Sequence, residues 1–131
     1  MAVTEKKERP VVLVCDDSVL VRRMMRDILK EGGIAEILEA QDGLEAVELY
    51  RNHRPDLVFM DIVMPKQNGL DALVAIREYD QAARVIMASS AGTHKNLKSA
   101  IDAGACDFIQ KPFEKEAVLD MLRRNLEGKW D

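Results

Sequence analysis

Val11-Val12-Leu13-Val14-Cys15-Asp16-Asp17-Ser18 joins an unbroken apolar run of five residues to two carboxylates and a hydroxyl. Five apolar residues rich in valine, without polar alternation, describe a strand buried on both faces. After it, Val21, Met24, Met25, Ile28 and Leu29 recur at i, i+3, i+4, i+7 and i+8, one face of an amphipathic helix. Ser18 is placed to cap the start of that helix and Gly32-Gly33 to end it.

The same unit repeats along the chain. Ile37-Leu38-Glu39-Ala40 reads as a second, weaker strand. Asp42, three residues before Glu45, marks a capping-box-like start for a helix over 44–51 with Ala46, Val47 and Tyr50 on one face. Leu57-Val58-Phe59-Met60 is a third buried strand, and Pro65 and Gly69 punctuate the loop behind it. Leu70, Leu73, Val74 and Ile76 carry a third helix, and 85–88 is a fourth strand. Leu97, Ala100 and Ile101 mark a fourth helix stopped by Gly104. Phe108-Ile109 is a short fifth strand, and Val118, Leu119, Met121, Leu122 and Leu126 give a closing helix. Crossover helices between buried strands imply a parallel sheet with helices on both faces. Right-handed crossovers leave a doubly wound (βα)5 sandwich around a five-stranded sheet.

With 131 residues, 47% hydrophobic and 32% charged, the chain supports one domain with a real core. The expected boundaries are a charged leader over 1–10, the domain over 11–127 and a short tail over 128–131. No run approaches the roughly 18 apolar residues of a spanning helix, and the polar leader lacks a signal peptide's apolar core. The expectation is a cytoplasmic protein with no membrane insertion. Cys15 and Cys106 cannot build a disulfide framework or a metal site, and both read as small core side chains in a reducing compartment. A net charge of −4 without a dense basic patch argues against nucleic acid as a partner.

In such sheets the ligand site lies at the carboxyl ends of the strands. There the sequence places Asp16-Asp17, Asp61, Ser89-Ser90 and Lys111-Pro112. Three converging carboxylates repel unless one binds a proton or a hard cation sits among them. Oxygen ligands alone favour Mg²⁺ or Mn²⁺. With the ammonium of Lys111 and a hydroxyl, the set suits a transferring phosphoryl group, and a carboxylate can itself be the nucleophile. Singly, Asp16-Asp17 can be a helix cap, Asp61 a turn residue and Lys111-Pro112 a solvated loop. Their joint placement after four of five strands carries the argument.

These residues, with Met60-Asp61-Ile62-Val63-Met64-Pro65, Gly69 and 103–113 (Ala-Gly-Ala-Cys-Asp-Phe-Ile-Gln-Lys-Pro-Phe), resemble the receiver domain of bacterial response regulators, most closely the stand-alone chemotaxis type. The resemblance covers nearly everything from Val11 to Leu126. It implies a flavodoxin-like strand order 2-1-3-4-5 and a two-component switch rather than a turnover enzyme. In it Asp61 is the phosphoacceptor, and Asp16, Asp17, Asp61 and the backbone carbonyl of Val63 hold Mg²⁺. Lys111 pairs with the phosphoryl oxygens, and its bond to Pro112 is expected to be cis. The family spacing selects Ser89 over Ser90 as the switch hydroxyl, with Phe108 as the aromatic that turns inward on activation.

The chain departs from the family pattern in having Ser for the commoner Thr at 89, Cys15 where Val is usual, and Gln67 for a common apolar residue. Small apolar Val63 and Ala91 imply slow self-dephosphorylation. A histidine kinase or phosphotransfer domain is the implied donor, with the exposed start of the first helix (Val19, Leu20, Arg22, Arg23) as the candidate docking edge. A downstream target is expected on the face of the fourth helix, fifth strand and fifth helix, where His94, Lys95 and Lys98 lie, and the chain is expected to be a monomer. Trp130 falls in the tail, away from Asp61. Alternatives in the same class are a phosphorelay shuttle and a fragment of a longer regulator. An unrelated Mg²⁺-dependent phosphohydrolase would need a second Asp where Val63 stands, and Asp16-Asp17 would repel the phosphate of a flavin nucleotide.

Overall fold

The computed structural model describes residues 9–90 and 95–126. Its elements are β1 (Val11–Cys15), α1 (Val19–Glu31), β2 (Glu36–Ala40), α2 (Gly43–His53), β3 (Leu57–Asp61), α3 (Gly69–Tyr79), β4 (Val85–Ser89), α4 (Leu97–Asp102), β5 (Asp107–Gln110) and α5 (Lys115–Leu126). All four strand pairings are parallel, and the sheet order is β2-β1-β3-β4-β5. This is the expected doubly wound sandwich in the expected order. Among the described residues no helix is long and apolar enough to cross a membrane.

Successive side chains of a strand point to opposite faces, and both faces of the inner strands are covered. Leu13, Cys15, Val58, Met60, Val85 and Met87 join Ala46, Tyr50, Leu73, Ile76 and Ala100 of α2, α3 and α4 on one side. Val12, Val14, Leu57, Phe59, Ile86 and Ile109 join Met25, Leu29, Val118 and Leu122 of α1 and α5 on the other. Burial of this kind contributes about 1.5–3 kcal/mol for each large side chain.

The caps fall where the residue types place them. Ser18 Oγ accepts from Val21 N at 3.2 Å, and Asp42 Oδ1 from Glu45 N at 2.8 Å. The return arm of the capping box is displaced by one residue, since Glu45 accepts from Gln41 N rather than from Asp42. Gly33 and Gly104 adopt φ of 94° and 107° behind α1 and α4, conformations that glycine supplies at no steric cost. Three strands run one residue further than expected, which makes Asp61 and Ser89 the last residues of β3 and β4.

Some residues face differently from the sequence reading. Met24, in the expected apolar stripe, is exposed, as are Val74 and Ile101. Met24 and Val74 each follow or precede the centre of a buried face by one residue, a rotation of about 100° on an α-helix. Cys15 is a core side chain, but Cys106 is not: it is exposed just before edge strand β5, with its thiol donating to Asn125 Oδ1 at 3.3 Å. Cys106 N is taken up by Val85 O, so the backbone joins the sheet while the side chain stays outside the core.

Candidate functional site

Parallel strands deliver their carboxyl ends to one edge, and the candidate residues meet there. Asp16 follows β1, with its backbone N–H on Ala40 O at 3.0 Å and its Oδ1 accepting from Ser18 N at 2.9 Å. Lys111 Nζ stands 2.6 Å from Asp16 Oδ2 and 3.2 Å from Asp61 Oδ2, so one ammonium bridges the ends of β1 and β3. Asp17 is exposed at the mouth, and one oxygen from each of Asp16, Asp17 and Asp61 lies within 4.8 Å of the others.

The loop behind β3 closes tightly. Gly69 N donates to Ile62 O at 2.7 Å. A Cβ on Gly69 would stand 1.9 Å from the carbonyl oxygen of Asp61, so a hydrogen is all that fits. The Val63 N–H donates to the Asp61 carboxylate, while the Val63 side chain is exposed. Lys111 is set by its own backbone N–H on Ser89 O at 2.7 Å, and its peptide bond to Pro112 is cis, as expected.

Burial holds the Asp61 carboxyl above its ordinary range. The charge of Asp16 adds to this, and Lys111 and the Val63 N–H oppose it. Burial by itself would lower Lys111, but its bonds to Asp16 and Asp61 outweigh that and raise it. Ser89 is 1% exposed, and its Oγ has no hydrogen-bond partner among the described residues. Such a group costs about 1–3 kcal/mol. Ser90 is exposed.

Three carboxylates facing one ammonium leave a negative excess, and all their donor atoms are hard oxygens. The set therefore fits Mg²⁺ or Mn²⁺. The buried Ser89 hydroxyl fits an anionic group that would complete its bonding.

Other expectations sort differently. Phe108 is exposed on β5. At the start of α1, Val19, Leu20 and Arg23 are exposed, but Arg22 is not a free docking side chain. It is 13% exposed and bonded to Glu39 Oε1 and to the Asp16 carbonyl. Lys95 and Lys98 are exposed on the α4 side, Lys98 at 3.3 Å from Asp102. Ala91, Gly92, His94, Trp130 and nearly all of the leader and tail lie outside the described residues.

Two features escaped the sequence. One is the Arg22–Glu39 connection. The other is an apolar groove of about 330 Å³ lined by Val21, Met24, Ser90, Lys111, Pro112 and Phe113, beside the site. The sequence had assigned Met24 to the core stripe, and it lines this groove instead.

Residues 12–123 match the response regulator receiver domain. The chain belongs to this family, and it is accordingly a signalling switch, not a metabolic enzyme. It is 44% identical over 115 residues to the chemotaxis protein CheY of Bacillus subtilis strain 168, covering 88% of this chain and 96% of that protein. It is 46% identical over 112 residues to CheY of Halobacterium salinarum, covering 85% and 92%. Among solved structures, a CheX–CheY–BeF3–Mg²⁺ complex from Borrelia burgdorferi superposes with a TM-score of 0.82 at 40% identity, covering 87% of each chain.

Proposed function

We propose that this receiver accepts a phosphoryl group from a phosphohistidine onto Asp61 and so works as a chemotaxis-type diffusible switch in the cytosol. The observation that carries the reading is Lys111 Nζ standing between Asp16 and Asp61 at the ends of adjacent strands. An Asp61 oxygen attacks phosphorus in line, the P–N bond breaks, and the imidazole nitrogen leaves with the electron pair. Lys111 swings part of its charge from Asp61 onto an equatorial oxygen as the Asp61 charge is used up. Ser89 donates its unspent hydroxyl to another. The carboxylates of Asp16, Asp17 and Asp61 and the Val63 carbonyl would hold Mg²⁺, which supplies neutralisation of the remaining phosphoryl charge.

Likeness to CheY proteins over most of both chains supports a chemotaxis role. Output then comes from the face of α4, β5 and α5, where Phe108 starts exposed and turns inward as Ser89 is drawn toward the phosphoryl group. The phosphoryl group shifts an existing two-state equilibrium, and the target binds one state better. The acylphosphate is long-lived, because exposed, apolar Val63 offers no group to position an attacking water. A small acyl phosphate with Mg²⁺ is expected to label the wild type and leave Asp61→Asn unlabelled; labelling of the variant at the wild-type level overturns the assignment.

A further inference from the structure

The three residues between β1 and α1 carry both members of the acidic pair without any helical or sheet repeat to hold them. Asp16 is nonetheless fixed on every side. Its N–H goes to Ala40 O, its Oδ1 takes Ser18 N, and its Oδ2 meets Lys111. Its carbonyl accepts from Arg22 Nη1 at 2.7 Å. That carbonyl belongs to the same rigid peptide plane as the Asp17 nitrogen. A hold on the oxygen is therefore a hold on the direction in which Asp17 leaves Asp16.

Arg22 can keep that hold because its other edge is anchored. Arg22 Nε donates to Glu39 Oε1 at 2.9 Å, and Glu39 is steadied by Arg26 at 3.3 Å. Glu39 lies on β2, paired in register with Val14 of β1, so the anchor is part of the sheet. The planar guanidinium reaches two acceptors at a fixed angle, which an ammonium cannot do. Helix stability does not account for the residue: a cation in the opening turns of α1 opposes the helix dipole, and that first turn holds no acidic side chain to offset it.

We propose that Arg22 is a positioning residue for the cation site, orienting the Asp16–Asp17 peptide so that both carboxylates face one ion. The inference rests on the reading of Asp16, Asp17 and Asp61 as a Mg²⁺ site. A positioning role and a plain electrostatic role predict opposite signs. Taking away a nearby positive charge by itself tightens Mg²⁺ binding, whereas releasing the peptide weakens it. Arg26 offers the control, since it pairs with Glu39 in the same cluster and is not among the partners of the Asp16 carbonyl.

The test is calorimetric titration of the full chain with MgCl2 alone, with circular dichroism to verify folding. Arg22→Met is expected to weaken Mg²⁺ binding about 10–100-fold, the range seen when groups that orient metal ligands are removed. Arg26→Met is expected to stay within about threefold of wild type, and Arg22→Lys, which keeps the charge and is the fallback if the Met variant does not fold, to remain well below it. Unchanged or tighter binding by the Arg22 variants overturns the inference, as does equal weakening in Arg26→Met. A wild type that takes up no Mg²⁺ overturns instead the reading of the acidic pocket, and the inference falls with it.

Discussion

Lys111→Met tests how the site manages its own repulsion. The substitution keeps side-chain length and removes the ammonium 2.6 Å from Asp16 and 3.2 Å from Asp61. At an effective dielectric of about 20, each contact is a gross attraction of about 5–6 kcal/mol. Much of that sum cannot appear as lost stability, because a freed carboxylate can bind a proton. From the ordinary carboxylate value of 3.8, protonation at pH 7 costs at most about 4 kcal/mol, and at pH 5 at most about 1.5 kcal/mol. Lys111 also recovers its own desolvation, so the expected loss is about 3 kcal/mol at pH 7 and about 1 kcal/mol at pH 5. The sign follows from Asp61, already held above its ordinary range by burial and by Asp16. Without Lys111 it rises further, and the variant regains stability as pH falls through the raised value. Urea unfolding in EDTA at pH 5, 6 and 7, followed by circular dichroism, measures the difference. A deficit that is absent at pH 7, or that grows toward pH 5, refutes the electrostatic account.

Ser89→Ala removes a buried hydroxyl that has no partner among the described residues and is expected to stabilise the unphosphorylated protein by about 1 kcal/mol in the same assay; a loss of similar size would mean that the hydroxyl is already satisfied. Gly69→Ala pushes a methyl to 1.9 Å from the Asp61 carbonyl and is expected to cost at least about 1–3 kcal/mol and to weaken Mg²⁺ binding, both absent if the loop yields freely. Tyr50→Phe removes the 2.8 Å bond to Asp80, worth about 1 kcal/mol. That bond holds the Asp80 carboxyl below its ordinary value, so its contribution is present above that value and disappears as pH falls through the lowered one; a deficit unchanged at pH 2 contradicts the pairing. Burial raises both thiols, and Cys15 is buried where Cys106 is exposed, so a maleimide is expected to modify Cys106 alone in the folded protein and Cys15 only after unfolding, as read by mass spectrometry.

The strand–helix rhythm was legible because valine-rich runs and helical stripes are strong local signals, and Ser18 and Asp42 cap where their side chains are expected to. Asp16, Asp61, Ser89 and Lys111 were legible for the same reason, since parallel pairing alone brings strand ends together. What stayed hidden depends on partners far along the chain. Nothing near Arg22 announces Glu39, 17 residues away. Cys106 sits among small apolar residues, yet it precedes the edge strand β5 and its side chain stays outside the core. Phe108 was legible as a residue of the fifth strand, and its exposure there was not.

That edge position constrains what β5 can offer another molecule. An outer strand with free backbone groups is a template on which foreign strands can grow, the usual seed of aggregation. β5 has only four residues, opens with Asp107, and leads directly into Lys111 and a proline that donates no hydrogen bond. So short and charged a border does not invite sheet extension. A molecule arriving there must read side chains such as Phe108 one at a time, a mode of contact that can be made and broken without zipping up a new strand.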